Sequence, residues 1–287
     1  MANPDTPTIR LEPDPDNALV FRVIDEATGR PVSRAEAAEL PQEPLVAEAE
    51  TADGFVVRLC GEGDSWINLL SRFSFYPRTF FDFLGETWPS RNIGFPGDEF
   101  LQILAAKQYK GPLQSGLYRV FVFSGGGNDV IGGGGLKALI KPRPAGGGSA
   151  SPADHVETAK VAAVMANLEA GYNTIAREVA VWMPGGLMLI HGYDYVLPRK
   201  NGPWLGKPLA ERGFAHDDPL AAAIIRHLLD RFHDTLARVQ RANAHVRLVD
   251  LRGTVKTRWH DELHPKESGS RAVAKKFARE IERMFVA

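Results

Sequence analysis

Four short stretches carry residue types that could do chemistry together. They are a serine after a glycine turn, a glycine in a proline turn, an asparagine behind a glycine run, and a histidine with a carboxylate three places before it. The serine is Ser65 in Gly63-Asp64-Ser65-Trp66, following the apolar run Phe55-Val56-Val57-Arg58-Leu59-Cys60 and preceding Ile67-Asn68-Leu69-Leu70. That order predicts a strand at 55–60, a tight turn, and a helix over 65–71. A hydroxyl placed there faces backbone N–H groups and the positive end of a helix dipole, where an oxyanion can be held. Taken by itself, Asp-Ser before a helix reads more readily as a cap than as a catalytic serine.

The histidine is His264, in Trp259-His260-Asp261-Glu262-Leu263-His264-Pro265. Asp261 can reach its Nδ1–H, which fixes the tautomer and leaves Nε2 to accept a proton from a nucleophile. Asn128 stands in Gly126-Gly127-Asn128-Asp129, after a buried strand predicted at 118–123. The turn Asn92-Ile93-Gly94-Phe95-Pro96-Gly97-Asp98 offers a backbone N–H from Gly97 or from Gly94. A neutral serine hydroxyl needs an adjacent base, and a tetrahedral oxyanion needs fixed donors.

The elements that must position these groups alternate between strand and helix. Further strands are expected at 187–191 and 246–250, and helices at 99–107, 155–170, 173–182, 219–243 and 268–285, with Gly171 separating the middle pair. Such alternation implies crossover connections and hence an α/β fold, a doubly wound, mostly parallel sheet with helices on both faces. Ligands of such sheets bind at the carboxyl ends of the strands, where Ser65 and Asn128 fall. Residues 1–50 read as a separate amino-terminal extension with one strand at 19–24, a Pro- and Asp-rich start that is expected to be poorly ordered, and no evident chemistry. The main domain is expected over 51–287, with a glycine-rich loop at 130–153 able to act as a lid and a Pro/Gly-rich insertion at 193–219.

Composition narrows the function class. The 287 residues carry a net charge of −1, with no long run of one sign, so neither nucleic acid nor an anionic membrane surface is an expected partner. The single cysteine, Cys60, allows no internal disulfide and reads as a buried small hydrophobe. Met1-Ala2-Asn3-Pro4-Asp5 has neither a basic nor an apolar leader pattern, and no stretch is long enough to span a membrane. A cytoplasmic location is the resulting expectation.

The four blocks, in this order along the chain, resemble those of the SGNH hydrolase superfamily, the GDSL-type esterases and lipases. The resemblance covers roughly 55–135 and 245–285. It implies a flavodoxin-like sheet, and it makes Ser65 the nucleophile, His264 the general base and Asp261 the carboxylate that orients it. The oxyanion hole would comprise the Ser65 N–H, the Gly97 N–H (Gly94 being the alternative) and the Asn128 side-chain amide. The implied activity is cleavage of a small-molecule or lipid ester through an acyl-enzyme, without cofactor or metal. Thioesters, phospholipids and acetylated sugars stay open as substrates, and a catalytically silent binding protein of the same fold is the reading from another class. Trp66 stands where the GDSL pattern has leucine.

Rival motifs fail on spacing. There is no Gly-x-Ser-x-Gly elbow, and the glycine runs complete neither a phosphate-binding loop nor a dinucleotide fingerprint. His260 and His264 are four apart, but Pro265 disfavours a helix there and a zinc helix wants Glu directly after its first His. Trp66, Gly127, His191 and Tyr193 are candidates for the substrate pocket, with His191 equally readable as part of a structural turn. Trp204, Phe214 and the aromatics of 73–83 could wall an acyl group, although such clusters more often form core.

Overall fold

The computed structural model of the protein describes residues 9–13, 21–33, 36, 56–71, 74–131 and 133–285. In chain order the elements are β1 (Ile9–Pro13), β2 (Phe21–Asp25), β3 (Leu59–Gly63), α1 (Phe80–Leu84), β4 (Ser90–Asn92), α2 (Phe100–Ala106), α3 (Lys110–Gln114), β5 (Val120–Ser124), α4 (Gly127–Ile131), α5 (Gly133–Leu139), α6 (Thr158–Trp182), β6 (Leu187–His191), α7 (Gly206–Ala210), α8 (Pro219–Ala242), β7 (Val246–Val249) and α9 (Glu267–Phe285). Strands β3 to β7 form one fully parallel sheet in the order β4-β3-β5-β6-β7. Counted within that sheet this is the 2-1-3-4-5 winding, whose crevice opens where the strand order reverses, between β3 and β5. At that point Gly63 pairs with Ser124.

The sheet is apolar because both faces are covered. On one side Phe123 packs edge-on against Phe100 of α2 and Tyr172 of α6, while α8 packs on α6. On the other, Phe80 of α1 stacks on Phe277 of α9 at 4.5 Å, with the His191 ring against both.

Strand β3 runs over 59–63 rather than 55–60; Phe55 lies outside the described residues, and Val56 makes only an isolated bridge. Its two glycines explain the displacement. A Cβ on Gly61 would sit 2.7 Å from the Phe81 ring, and one on Gly63 would sit 1.9 Å from the Ser124 carbonyl oxygen. Only glycine fits where the neighbours press so close, so the strand continues through residues without an apolar pattern. The helix expected at 65–71 is a single turn, with Ile67 N–H and Asn68 N–H both donating to the Asp64 carbonyl. Asn68 ends it: its Oδ1 accepts from Leu70 N–H, and Leu70 turns left-handed at φ 49°.

Three further expectations are corrected. The helix broken at Gly171 is continuous over 25 residues, since a Cβ on Gly171 would lie 2.2 Å from the Phe100 ring; the glycine makes room and ends nothing. The loop of 130–153 is not without elements of its own. Residues 133–139 form α5, with Leu136 and Leu139 buried and the Arg212 guanidinium donating to the Lys137 carbonyl near its end. A short 3-10 turn, Pro152–His155, follows, and Gly132 lies outside the described residues. The remainder of that loop is tied down by an Ile140–Val156 bridge and by Arg143 N–H to the Arg212 carbonyl.

At the amino terminus, residues 9–13 are a strand paired antiparallel with β2, despite the Pro/Asp-rich start. Alternation accounts for it: Ile9 and Leu11 point inward with Phe21 and Val23. Leu19 and Val20 of the expected strand, and most of residues 34–50, lie outside the described residues.

Candidate active site

Strand β3 delivers Asp64 and Ser65 to the crevice. Asp64 is wholly buried and braces the turn with its carboxylate, which accepts from Trp66 N–H at 3.0 Å, from the Ser124 hydroxyl at 2.8 Å and from the Tyr193 hydroxyl. Burial pushes its pKa up to about 6, against the lowering effect of those three donors. Ser65 is left at the surface of the turn, 5% exposed, with its own N–H unmatched by any acceptor among the described residues.

The loop before α9 delivers the base. A Trp259–Pro265 bridge and His260 N–H to the His264 carbonyl fold it into a narrow turn. Inside it Asp261 Oδ1 accepts from the N–H groups of Leu263 and His264 at 2.8 and 2.7 Å. Its Oδ2 lies 2.7 Å from His264 Nδ1, and His264 Nε2 lies 2.8 Å from Ser65 Oγ. Burial would raise the Asp261 pKa, but the imidazole beside it and these hydrogen bonds together hold it below the usual carboxylate value. Trp66 Nε1 donates to the Leu263 carbonyl at 3.0 Å, pinning the serine turn to the histidine turn. Residues 199 apart thus meet at one hydrogen bond.

The donor side is assembled from the segments after β4 and β5. Phe95-Pro96-Gly97-Asp98 is a turn closed by Asp98 N–H to the Phe95 carbonyl, and Gly97 takes φ 86°, which favours glycine. Its N–H has no acceptor among the described residues. The Gly94 N–H, by contrast, donates to Asn92 Oδ1, and a Cβ there would fall 2.6 Å from the Gly63 carbonyl oxygen. Asn128, in the first turn of α4, donates one amide hydrogen to the Asp98 carbonyl at 3.0 Å, and the amide carries a second.

Of the expected pocket residues, His191 and Tyr193 lie behind the site. The His191 ring is fully buried among Trp66, Phe80, Tyr193 and Phe277; burial depresses its pKa to about 3, so it is neutral. Tyr193 holds a left-handed backbone at φ 63°, and its hydroxyl accepts from Gly127 N–H at 3.1 Å while donating to Asp64. A Cβ on Gly127 would lie 2.6 Å from that tyrosine ring. Tyr193 therefore ties the serine block to the asparagine block. Trp66 alone of the four borders a small cavity beside Ser65, with Thr79, Phe80 and Pro265.

Several contributors escape sequence reading. Glu262 is buried between Asp261 and His264 and accepts four backbone N–H groups, from Arg199, Trp204, Leu205 and Gly206. It thereby fastens the 193–219 insertion, which includes α7, to the histidine turn. Trp204 and Tyr76 both pack on the His264 ring, whereas Phe214 lies elsewhere, against His155 and Arg143. Phe73 is outside the described residues. Phe21 from β2 also reaches His264, so the extension borders the site. Its sequence offered only an apolar residue in a strand, with nothing to say where the hairpin docks. Among the described residues, no three His, Cys, Asp or Glu side chains gather as a metal site, and no helix is long and apolar enough to cross a membrane.

The arrangement defines an α/β chain with a serine, a histidine and a carboxylate in hydrogen-bonded series at the crevice. Its fold is one shared with solved lipases and esterases, as structural similarity shows. An extracellular lipase of Streptomyces rimosus matches 78% of this chain and 99% of its own, at TM-score 0.51 and 14% identity. Phospholipase A1 of Streptomyces albidoflavus matches 78% and 98%, with the same score and identity. A catalytic mutant of an acetylxylan esterase from Geobacillus stearothermophilus matches 82% and 96%, at TM-score 0.50 and 13% identity. No protein-family model and no curated protein sequence matches the chain.

Proposed function

We propose that the protein is a serine hydrolase of carboxylic esters working through an acyl-enzyme. The observation that carries this reading is the continuous series Asp261–His264–Ser65, with 2.7 and 2.8 Å between successive atoms. In the first step Ser65 Oγ attacks the ester carbonyl carbon as His264 Nε2 takes the hydroxyl proton. The imidazolium so formed donates its Nδ1–H to Asp261, which stays ionised. The carbonyl oxygen, now negative, accepts from the N–H of Ser65, the N–H of Gly97 and the second amide hydrogen of Asn128; one such donor is typically worth ~3 kcal/mol of barrier. Collapse breaks the bond to the alcohol oxygen, and Nε2 returns its proton there. Water, activated by the same nitrogen, then attacks the acyl carbon and releases the acid.

Gly97 is preferred over Gly94 as a donor because the Gly94 N–H is already engaged by Asn92. The reading is tested by labelling with a small fluorophosphonate. Label on the peptide bearing Ser65, absent in Ser65→Ala and strongly reduced in His264→Ala, is expected. An unlabelled wild-type chain would leave a binding protein of hydrolase fold.

A further inference from the structure

We propose that the aromatic side chains gathered on His264 form the alcohol subsite, that Phe21 of the amino-terminal hairpin sets its specificity, and that the preferred ester carries an apolar ring on its alcohol. This rests on the reading of Ser65 and His264 given above. Three rings from distant segments converge on the imidazole: Phe21 at 5.7 Å between centroids, Tyr76 at 5.8 Å and Trp204 at 5.6 Å. Phe21 also touches both of the others, at 5.7 Å to Tyr76 and 6.1 Å to Trp204.

Which half of the ester meets these rings follows from the proton balance. The nitrogen that accepts the serine proton must return it to the departing oxygen, so that oxygen comes within hydrogen-bond reach of Nε2. The acyl oxygen faces donors supplied from the segments after β4 and β5 instead. Any group carried by the alcohol oxygen therefore begins within one ring's width of Phe21, Tyr76 and Trp204. The nearby Arg199 guanidinium is turned to the carbonyls of His260 and Trp259. The wall is thus made of flat ring faces and edges, a surface on which rings pack in offset or edge-to-face geometry.

Phe21 is the ring that can shift to admit the alcohol and then pack on it. His264 is fully buried and Ser65 nearly so, which means that an entering substrate has to shift part of this cover. Trp204 is fixed by Glu262 through its backbone N–H. Phe21 stands on a hairpin that forms its own two-stranded sheet and, among the described residues, pairs with no strand of the central one.

Benzyl acetate and ethyl acetate share an acyl group and have leaving groups of similar basicity. Wild-type kcat/KM is expected to favour the benzyl ester, and Phe21→Ala to lower the benzyl-to-ethyl ratio by about three- to tenfold, the worth of one aromatic contact. The ratio of ethyl hexanoate to ethyl acetate should stay as in the wild type. Phe21→Leu, which keeps the apolar volume and removes the ring, is expected to fall between and decides the matter should the alanine variant not fold. A wild-type ratio near one, an unchanged ratio in the foldable variant, or a shift in acyl rather than alcohol preference would overturn the assignment. If a fluorophosphonate labels Ser65 yet neither acetate is cleaved, the subsite proposal fails while the hydrolase reading stands. If Ser65 takes no label, both fail together.

Discussion

Replacing Glu262 by Gln changes one atom of a side chain that otherwise keeps its shape, and the effect can be worked out from its four partners. Oε1 accepts from Arg199 and Gly206 N–H at 2.8 Å each, and Oε2 from Trp204 and Leu205 N–H at 3.0 and 3.1 Å. An amide offers one oxygen and one NH2, so whichever way it turns, two buried N–H groups face a donor. Each orphaned group costs about 1–3 kcal/mol, which sets the expected loss at about 2–6 kcal/mol if the segment stays in place. A segment that lets go and hydrates escapes part of that cost, so the loss is expected to appear first as local opening of 199–206. Hydrogen exchange followed by mass spectrometry, alongside urea unfolding, separates the two responses. Protection should fall over 199–206 while the central strands keep theirs, and the variant should favour benzyl over ethyl acetate less strongly because Trp204 loses its anchor. Wild-type exchange in 199–206 together with a change in stability under about 0.5 kcal/mol would refute the view that Glu262 holds this segment on the histidine turn.

Other expectations follow from single observations. Asn128→Ala should lower kcat by about 10²–10³-fold with little change in KM, as expected for a donor used in the transition state; a purely structural role through Asp98 would instead lower thermal stability and leave kcat of the folded enzyme intact. His191 has its pKa depressed by burial to about 3, so below an unfolded value near 6.5 the unfolded chain binds a proton that the native one does not. Stability from this neutral ring is full above that value and is lost as pH falls, by about 2–3 kcal/mol between pH 7 and 4.5. His191→Asn should remove that part of the pH dependence in urea titrations at the two pH values. Asp64, raised to about 6, contributes the opposite slope in both proteins and cancels in the comparison. Equal slopes would mean that His191 is solvated or paired. Gly171→Ala gains up to about 1 kcal/mol of helix propensity but drives a methyl into the Phe100 ring; overpacking of about 1–3 kcal/mol wins, and a lowered Tm is expected.

Much of this was legible in the sequence because it rests on local patterns. Strand 187–191 and the helices at 219–243 and 268–285 follow from apolar periodicity alone, and the structure places them within a residue at each end. The Asp261-x-x-His264 contact is equally local, since a three-residue turn brings carboxylate and imidazole together. What the sequence hid depends on neighbours distant in the chain. Gly61, Glu62 and Gly63 carry no apolar pattern, and they are strand because β5 pairs with all three and β4 with Gly61. Gly171 reads as a break until Phe100 is seen lying on it. Glu262 looks like any acid in a charged turn; only the folded insertion shows four N–H groups converging on it. The contact of Phe21 with His264 belongs to the same class, being fixed by where a hairpin docks and not by its own pattern.

The most direct test is to acid-quench the enzyme during turnover of an aryl acetate and map the acetyl group by peptide mass spectrometry. An acetyl ester on Ser65, formed in the wild type and absent in Ser65→Ala together with turnover, is the predicted result. Turnover that persists in Ser65→Ala, or an acetyl group carried by another residue, would contradict it.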